Sequence, residues 1–164
     1  MGQVSKAFVY LYDIFPTICN LSGLPAPPDV DGKDISPILK GESDGVRTSV
    51  FTAYRNTVRA IREGNWKMIR YPDRDITQLY DLASDPLEIN NLANNSEYQD
   101  KLTELTALMK KKQTETGDTI SLTAKHILPS EYDPTKFVQK PDKWQPEYTL
   151  KRYFKNTDLK KAEK

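Results

Sequence analysis

The stretch from residue 49 to residue 82 constrains the fold most. It holds four short runs rich in β-branched and aromatic residues: Ser49–Tyr54, Val58–Arg62, Trp66–Tyr71 and Thr77–Leu82. Only Glu63, Gly64 and Asn65 separate the second run from the third, a Gly/Asn turn suited to a hairpin. Pro72, Asp73, Arg74 and Asp75 form the next turn. Parallel neighbours need a crossover of roughly a dozen residues or more, so connections this short dictate an antiparallel meander. Such a sheet needs a cover on one face. The sequence supplies it next: Tyr98, Leu102, Leu105, Leu108 and Met109 recur at helical spacing between an Asn-rich loop and Gly117. Acidic residues (Glu97, Asp100) sit near the start and Lys110, Lys111 and Lys112 near the end, as the helix dipole favours. The expected class is α+β: an antiparallel sheet of about four strands with helix 96–115 on one face.

Upstream, Phe8–Leu11 reads as a strand or extended segment. Asp13 is placed as a helix N-cap, with Pro16 in the first turn. Ile14, Ile18 and Leu21 share one helical face, and Gly23 with Pro25, Pro27 and Pro28 ends the helix, giving 14–22. A Pro- and Asp-rich connection leads to one or two helical turns near Ser36–Leu39, stopped at Gly41. Beyond Asp118, Pro129, Pro134, Pro141 and Pro146 break any long element. Tyr132, Phe137, Trp144, Tyr148, Tyr153 and Phe154 are spaced through polar sequence, which reads as an extended arm laying aromatic side chains on a folded body. The charged end, 156–164, is expected to fray.

Composition removes several function classes. Among 164 residues, Lys+Arg is 24 and Asp+Glu is 23, so no global charge attracts nucleic acid or an anionic membrane. No apolar run approaches the roughly 20 residues that cross a bilayer. One Cys and one His exclude an intrachain disulfide, a Cys-based zinc cluster and a His-rich metal site. The N-terminus does not read as a signal peptide, because Asp13 and Pro16 break its apolar run.

Four motifs, in order, resemble one family. Asp13-Ile14-Phe15-Pro16-Thr17 followed by Leu21-Ser22-Gly23 is similar to a helix of the formylglycine-dependent sulfatases. Asp31-Gly32-Lys33-Asp34 with Pro37-Ile38-Leu39-Lys40-Gly41 resembles the stretch that follows it there. The segment from Arg59 to Ile69 is similar to that family's R-A-[VI]-R-x-G-x-[WY]-K hairpin. Leu79-Tyr80-Asp81-Leu82 running through Asp85-Pro86-Leu87-Glu88 to Asn91-Leu92-Ala93 resembles its L-Y-D-L-x-x-D-P-x-E-x-x-N-L-A signature. The resemblance covers about residues 8–117.

The resemblance implies a parent enzyme of the alkaline-phosphatase-like superfamily that hydrolyses sulfate esters with a calcium ion and a formylglycine made from Cys-x-[Pro/Ser/Ala]-x-Arg. That motif is absent here: Cys19 is followed by Asn20, Leu21, Ser22 and Gly23. The chain therefore reads as a C-terminal piece without catalytic residues, metal ligands or cofactor of its own. Residues 1–45 would end the large domain with helix 14–22 left over from it, 46–117 would form the small α+β subdomain, and 118–164 the arm. Its partner would be the large N-terminal sulfatase domain, and sulfated substrate would reach it only through that parent, in a periplasmic, secreted or lysosomal setting. Its part would be to buttress the pocket and shape one wall. The bared surface around Phe8–Phe15 would promote self-association of the isolated chain. Two alternatives stay open: a piece of a related phosphonate or phosphodiester hydrolase, and a free-standing binding module derived from a sulfatase.

Cys19, beside Ile18, reads as a small buried hydrophobe, and His126 as a surface residue. Asp29, Asp31 and Asp34 fail the EF-hand pattern and suggest a turn at Asp31-Gly32. Arg55, Arg59, Arg62, Lys67 and Arg70 fit a solvated cationic strand face, with Tyr54 and Arg55 the candidates for substrate contact. Asn20-Leu21-Ser22 and Asn94-Asn95-Ser96 match the glycosylation pattern, which chance also produces.

Overall fold

A computed structural model describes residues 4–129 and 144–153. Residues 4–128 belong to one compact unit and 144–153 to a second.

In the first unit the four expected strands form one antiparallel sheet in sequence order: β1 (Ser49–Tyr54), β2 (Val58–Glu63), β3 (Trp66–Tyr71) and β4 (Ile76–Asp81). Glu63 pairs with Trp66 across a two-residue turn. Gly64 has φ +55° while Asn65 does not enter the left-handed region, the pattern of a type II′ turn. The register lines up Phe51, Ile61, Met68 and Leu79 in one cross-strand row, and all four are buried. A short 3-10 turn, Ser96–Tyr98, leads into helix α3 (Gln99–Glu115), and the Asn95 side chain caps it by accepting the Glu97 amide at 3.0 Å. Leu105 and Met109 seat on the row, closing the core.

β4 is an edge strand, and the segment after it covers that edge. The Asn91 carboxamide oxygen accepts the amides of Leu79 (2.9 Å) and Ala93 (3.1 Å), while its NH2 donates to the Thr77 carbonyl (3.1 Å). The Leu92 amide donates to the Leu79 carbonyl at 2.8 Å. Lys67 pairs with Glu88 at 2.7 Å. The D-P-x-E-x-x-N-L-A motif thus serves as an edge seal.

The N-terminal region departs from expectation. Phe8–Tyr10 is irregular, and Leu11–Asp13 is a 3-10 turn leading into α1 (Ile14–Leu21). Asp13 does not cap that helix. Its carboxylate is fully buried and accepts the Tyr10 amide at 2.6 Å, the Lys33 amide at 2.9 Å and both terminal nitrogens of Arg47. With so many donors the carboxylate is better satisfied facing inward than at the helix end. Burial pushes this carboxyl up, but the Arg47 guanidinium and the two amides overcome it and hold it at about 2. Arg47 stands just before β1, so this pair ties the N-terminal segment to the sheet. The turn expected at Asp31-Gly32 is absent; the chain turns at Pro28-Asp29 instead. Gly32 is needed for close approach, since a Cβ there would lie 2.3 Å from the Tyr12 carbonyl oxygen. The short helix α2 (Ser36–Leu39) ends before Gly41 at φ +74°.

After Gly117 the chain stays irregular through residue 129 and packs on the sheet through Leu122. In the second unit, residues 147–153 are helical rather than extended (α4, Glu147–Tyr153). Pro146 precedes the helix, where its fixed φ is suited to a start, and Glu147 pairs with Lys151 one turn on. Trp144 and Tyr148 are largely exposed. Tyr132, Phe137, Phe154 and the tail 156–164 lie outside the described residues, as does the Tyr153 side chain.

Candidate functional site

The five cations do not share a face. Strand register puts Arg59 and Arg70 on the side that carries α3, and Arg62 and Lys67 on the other. Arg59 overturns the solvated reading: it is 2% exposed. Its Nε and Nη2 donate to the Asp118 carboxylate at 2.6 and 2.7 Å, and Gln113 donates to the same carboxylate at 2.7 Å. This bidentate pair holds the Asp118 carboxyl far below the usual carboxylate range. Sequence alone hid this, because Asp118 lies 59 residues away.

The same guanidinium orders the β1–β2 connection. Arg59 Nη1 donates to the carbonyls of Arg55 (2.8 Å) and Val58 (2.9 Å). Above it, Arg55 adopts φ +48°, a left-handed conformation that costs a non-glycine residue about 1 kcal/mol or more. Tyr54 is 63% exposed, and the Arg55 guanidinium stands 5.5 Å from its ring centroid. The two sequence candidates therefore meet as an exposed cation–aromatic pair on an anchored base. Such a pair can offer a forked donor to an oxyanion and a flat face to a ring.

Helix α1 carries the second feature. Pro16 and Thr17 face inward, where the Thr17 hydroxyl donates to the Asp13 carbonyl and accepts the Ile35 amide. The apolar residues face out: Ile14 is 46% exposed, Phe15 52%, Ile18 57% and Leu21 58%. Leu11 and Leu24 are exposed beside them. A helix with its apolar stripe outward is the reverse of an ordinary surface helix.

Other sequence candidates are not brought together. Cys19 is only half-buried, and His126 is exposed. Among the described residues, no group of three or more His, Cys, Asp or Glu side chains could hold a metal ion. Asn20 donates to Asp34 and to Ser36.

Comparison with known proteins completes the site. The family described as N-sulphoglucosamine sulphohydrolase, C-terminal, matches residues 1–115. The chain belongs to this sulphohydrolase C-terminal family. It is 30% identical over 129 residues to an N-acetylglucosamine-6-O-sulfatase of Bacteroides thetaiotaomicron, a match covering 71% of this chain and 23% of the relative. The fold aligns with a solved 2-O GAG sulfatase at TM-score 0.56 and 30% identity, covering 63% of this chain and 24% of that one. It also aligns with the phosphonate monoester hydrolase of Agrobacterium radiobacter at TM-score 0.52 and 27% identity, with the same coverage. The chain thus spans under a quarter of the length of the curated relatives it matches first. The sulfatase C-terminal reading of the four motifs is borne out, within the alkaline-phosphatase-like superfamily. The α+β architecture of the family domain is borne out as well, and the named relatives favour sulfatase over phosphonate hydrolase ancestry.

Proposed function

We propose that this chain works as the C-terminal subdomain of a sulfate-ester hydrolase, buttressing a large N-terminal catalytic domain and forming one wall of its substrate pocket. The observation that carries the reading is the outward apolar stripe of α1, within a segment that matches a sulfatase C-terminal family. Residues 1–45 are read as the end of the large domain, 46–117 as the small subdomain and 118–164 as an appended arm. Tyr54 and Arg55 are the substrate contacts: Arg55 offers N–H donors to a sulfate or carboxylate oxygen, and Tyr54 a stacking face. Left bare, the α1 stripe brings copies of this chain together.

Formylglycine and calcium belong, on this reading, to the large domain. The residues here do not fit either group: Cys19 lacks the Arg-containing motif, and no carboxylate cluster is assembled among the described residues. The test uses the full polypeptide with both domains. Arg55→Ala should lower kcat/KM for a sulfated substrate by about tenfold or more, the cost of one charge-assisted contact. Arg62→Ala should leave it unchanged. Equal activity in the Arg55 variant and wild type would remove this residue from the pocket.

A further inference from the structure

A cleft of about 470 Å³ lies where the N-terminal segment meets the sheet and the last turn of α3. Its size falls within the range of small-ligand sites, roughly 300–1,000 Å³. Tyr10 and Tyr12 line it as a stacked pair, with centroids 4.7 Å apart and planes 20° from parallel. The Arg47 guanidinium lies 4.6 Å from the Tyr10 centroid, and the Tyr10 hydroxyl bonds to the Phe51 backbone in both directions. Tyr10 is therefore held at both its ring and its hydroxyl. Tyr12, 49% exposed, rests on it as the accessible layer.

The polar groups around this platform are balanced. Arg47 is neutralised by Asp13 and Lys112 by Glu115, while Lys33 and Asp31 add one charge of each sign. An anion site would need an excess of cations, and none is present. Lys33 spends one N–H on the Val46 carbonyl at 2.9 Å and keeps two. Ser49 is 6% exposed and its hydroxyl makes no hydrogen bond among the described residues; because no fully buried side-chain oxygen there lacks a partner, the small exposed part of Ser49 includes that hydroxyl. A hydroxyl that reaches a cleft and makes no internal bond leaves a donor and an acceptor for an occupant. Mixed donors and acceptors beside a flat aromatic face match a ligand whose groups both donate and accept around a ring with apolar C–H faces.

We infer that this cleft is a saccharide-binding site, separate from the Tyr54–Arg55 tip, in which a neutral sugar ring stacks on Tyr12 and its hydroxyls bond to Ser49, Lys33 and Asp31. The inference does not depend on the proposed role of the tip. The test is a backbone-amide NMR titration of the 164-residue chain with N-acetylglucosamine, glucose and, separately, sodium sulfate. A neutral sugar should give saturable shifts confined to residues 10–12, 31–33, 47–51 and 112–116. Tyr12→Ala should weaken this about tenfold, and Ser49→Ala should weaken it measurably, with both variants retaining the wild-type dispersion of unaffected amides. Arg74→Ala, in the turn between β3 and β4 and away from the cleft, should bind as wild type. Absence of saturable shifts with either sugar, the same shifts produced by sulfate alone, or undiminished binding by a folded Tyr12→Ala variant would each overturn the inference.

Discussion

Replacing Asp13 with Ala tests how the N-terminal segment is held. Asp13 is fully buried and Arg47 nearly so. The substitution leaves the guanidinium uncompensated and strips the amides of Tyr10 and Lys33 of their acceptor. Breaking a buried pair from one side costs about 3–5 kcal/mol, and two orphaned amides keep the expected loss at the upper end. Urea unfolding followed by Trp fluorescence measures it, with the half-buried Trp66 beside Tyr98 as reporter. Asp13→Ala combined with Arg47→Met should recover part of the loss, because no bare charge then remains buried. The pH dependence follows from the same carboxyl, depressed from 3.8 to about 2. A depressed carboxyl contributes fully above its unfolded pKa and loses its contribution as pH falls through the folded value. That contribution, roughly 2 kcal/mol at 1.36 kcal/mol per unit, should be complete above about pH 5 and fade between about pH 4 and pH 2. A loss below about 1 kcal/mol for Asp13→Ala at pH 7 would refute the reasoning, as would a double variant no more stable than the single one.

Two further outcomes are expected. Leu105→Ala, at the centre of the helix–sheet contact, should lose about 2–5 kcal/mol in the same urea assay; a neutral midpoint would put α3 off the core. The chain should associate in sedimentation velocity as its concentration rises, and Ile18→Glu should suppress this. A clean monomer at high concentration in the wild type would mean that the α1 stripe drives no contact.

The sheet was legible in the sequence because its connections are short. Gly64, Pro72 and the alternating runs leave few ways to pair four strands, and the stripe from Leu102 to Met109 leaves one face for α3. Long-range polar partners were not legible. Asp13 looks like a helix cap locally, and only the fold brings Arg47 to it across 34 residues. Arg59 looks like one solvated cation among five until Asp118 arrives beneath it. Alternation could not separate these cations, because the strand register that sorts them depends on the pairing itself. The exposure of Ile14, Phe15 and Ile18 has the same origin: periodicity reveals an apolar face, but not what covers it. Tyr54 and Arg55 were legible as residue types, whereas the clamp that fixes their backbone comes from tertiary structure.

On the proposed reading, this chain should support a catalytic domain and cleave no sulfate ester by itself. The most direct measurement is hydrolysis of an aryl sulfate by residues 1–164 alone, with calcium added, for wild type and Cys19→Ala. The family's route needs a nucleophile made from a Cys-x-[Pro/Ser/Ala]-x-Arg motif and a bound metal ion; Cys19 lacks that motif, and no group of three or more His, Cys, Asp or Glu side chains is assembled among the described residues. Both proteins should show no turnover above buffer. Turnover by the wild type that disappears in the Cys19 variant would contradict the claim and make Cys19 the nucleophile.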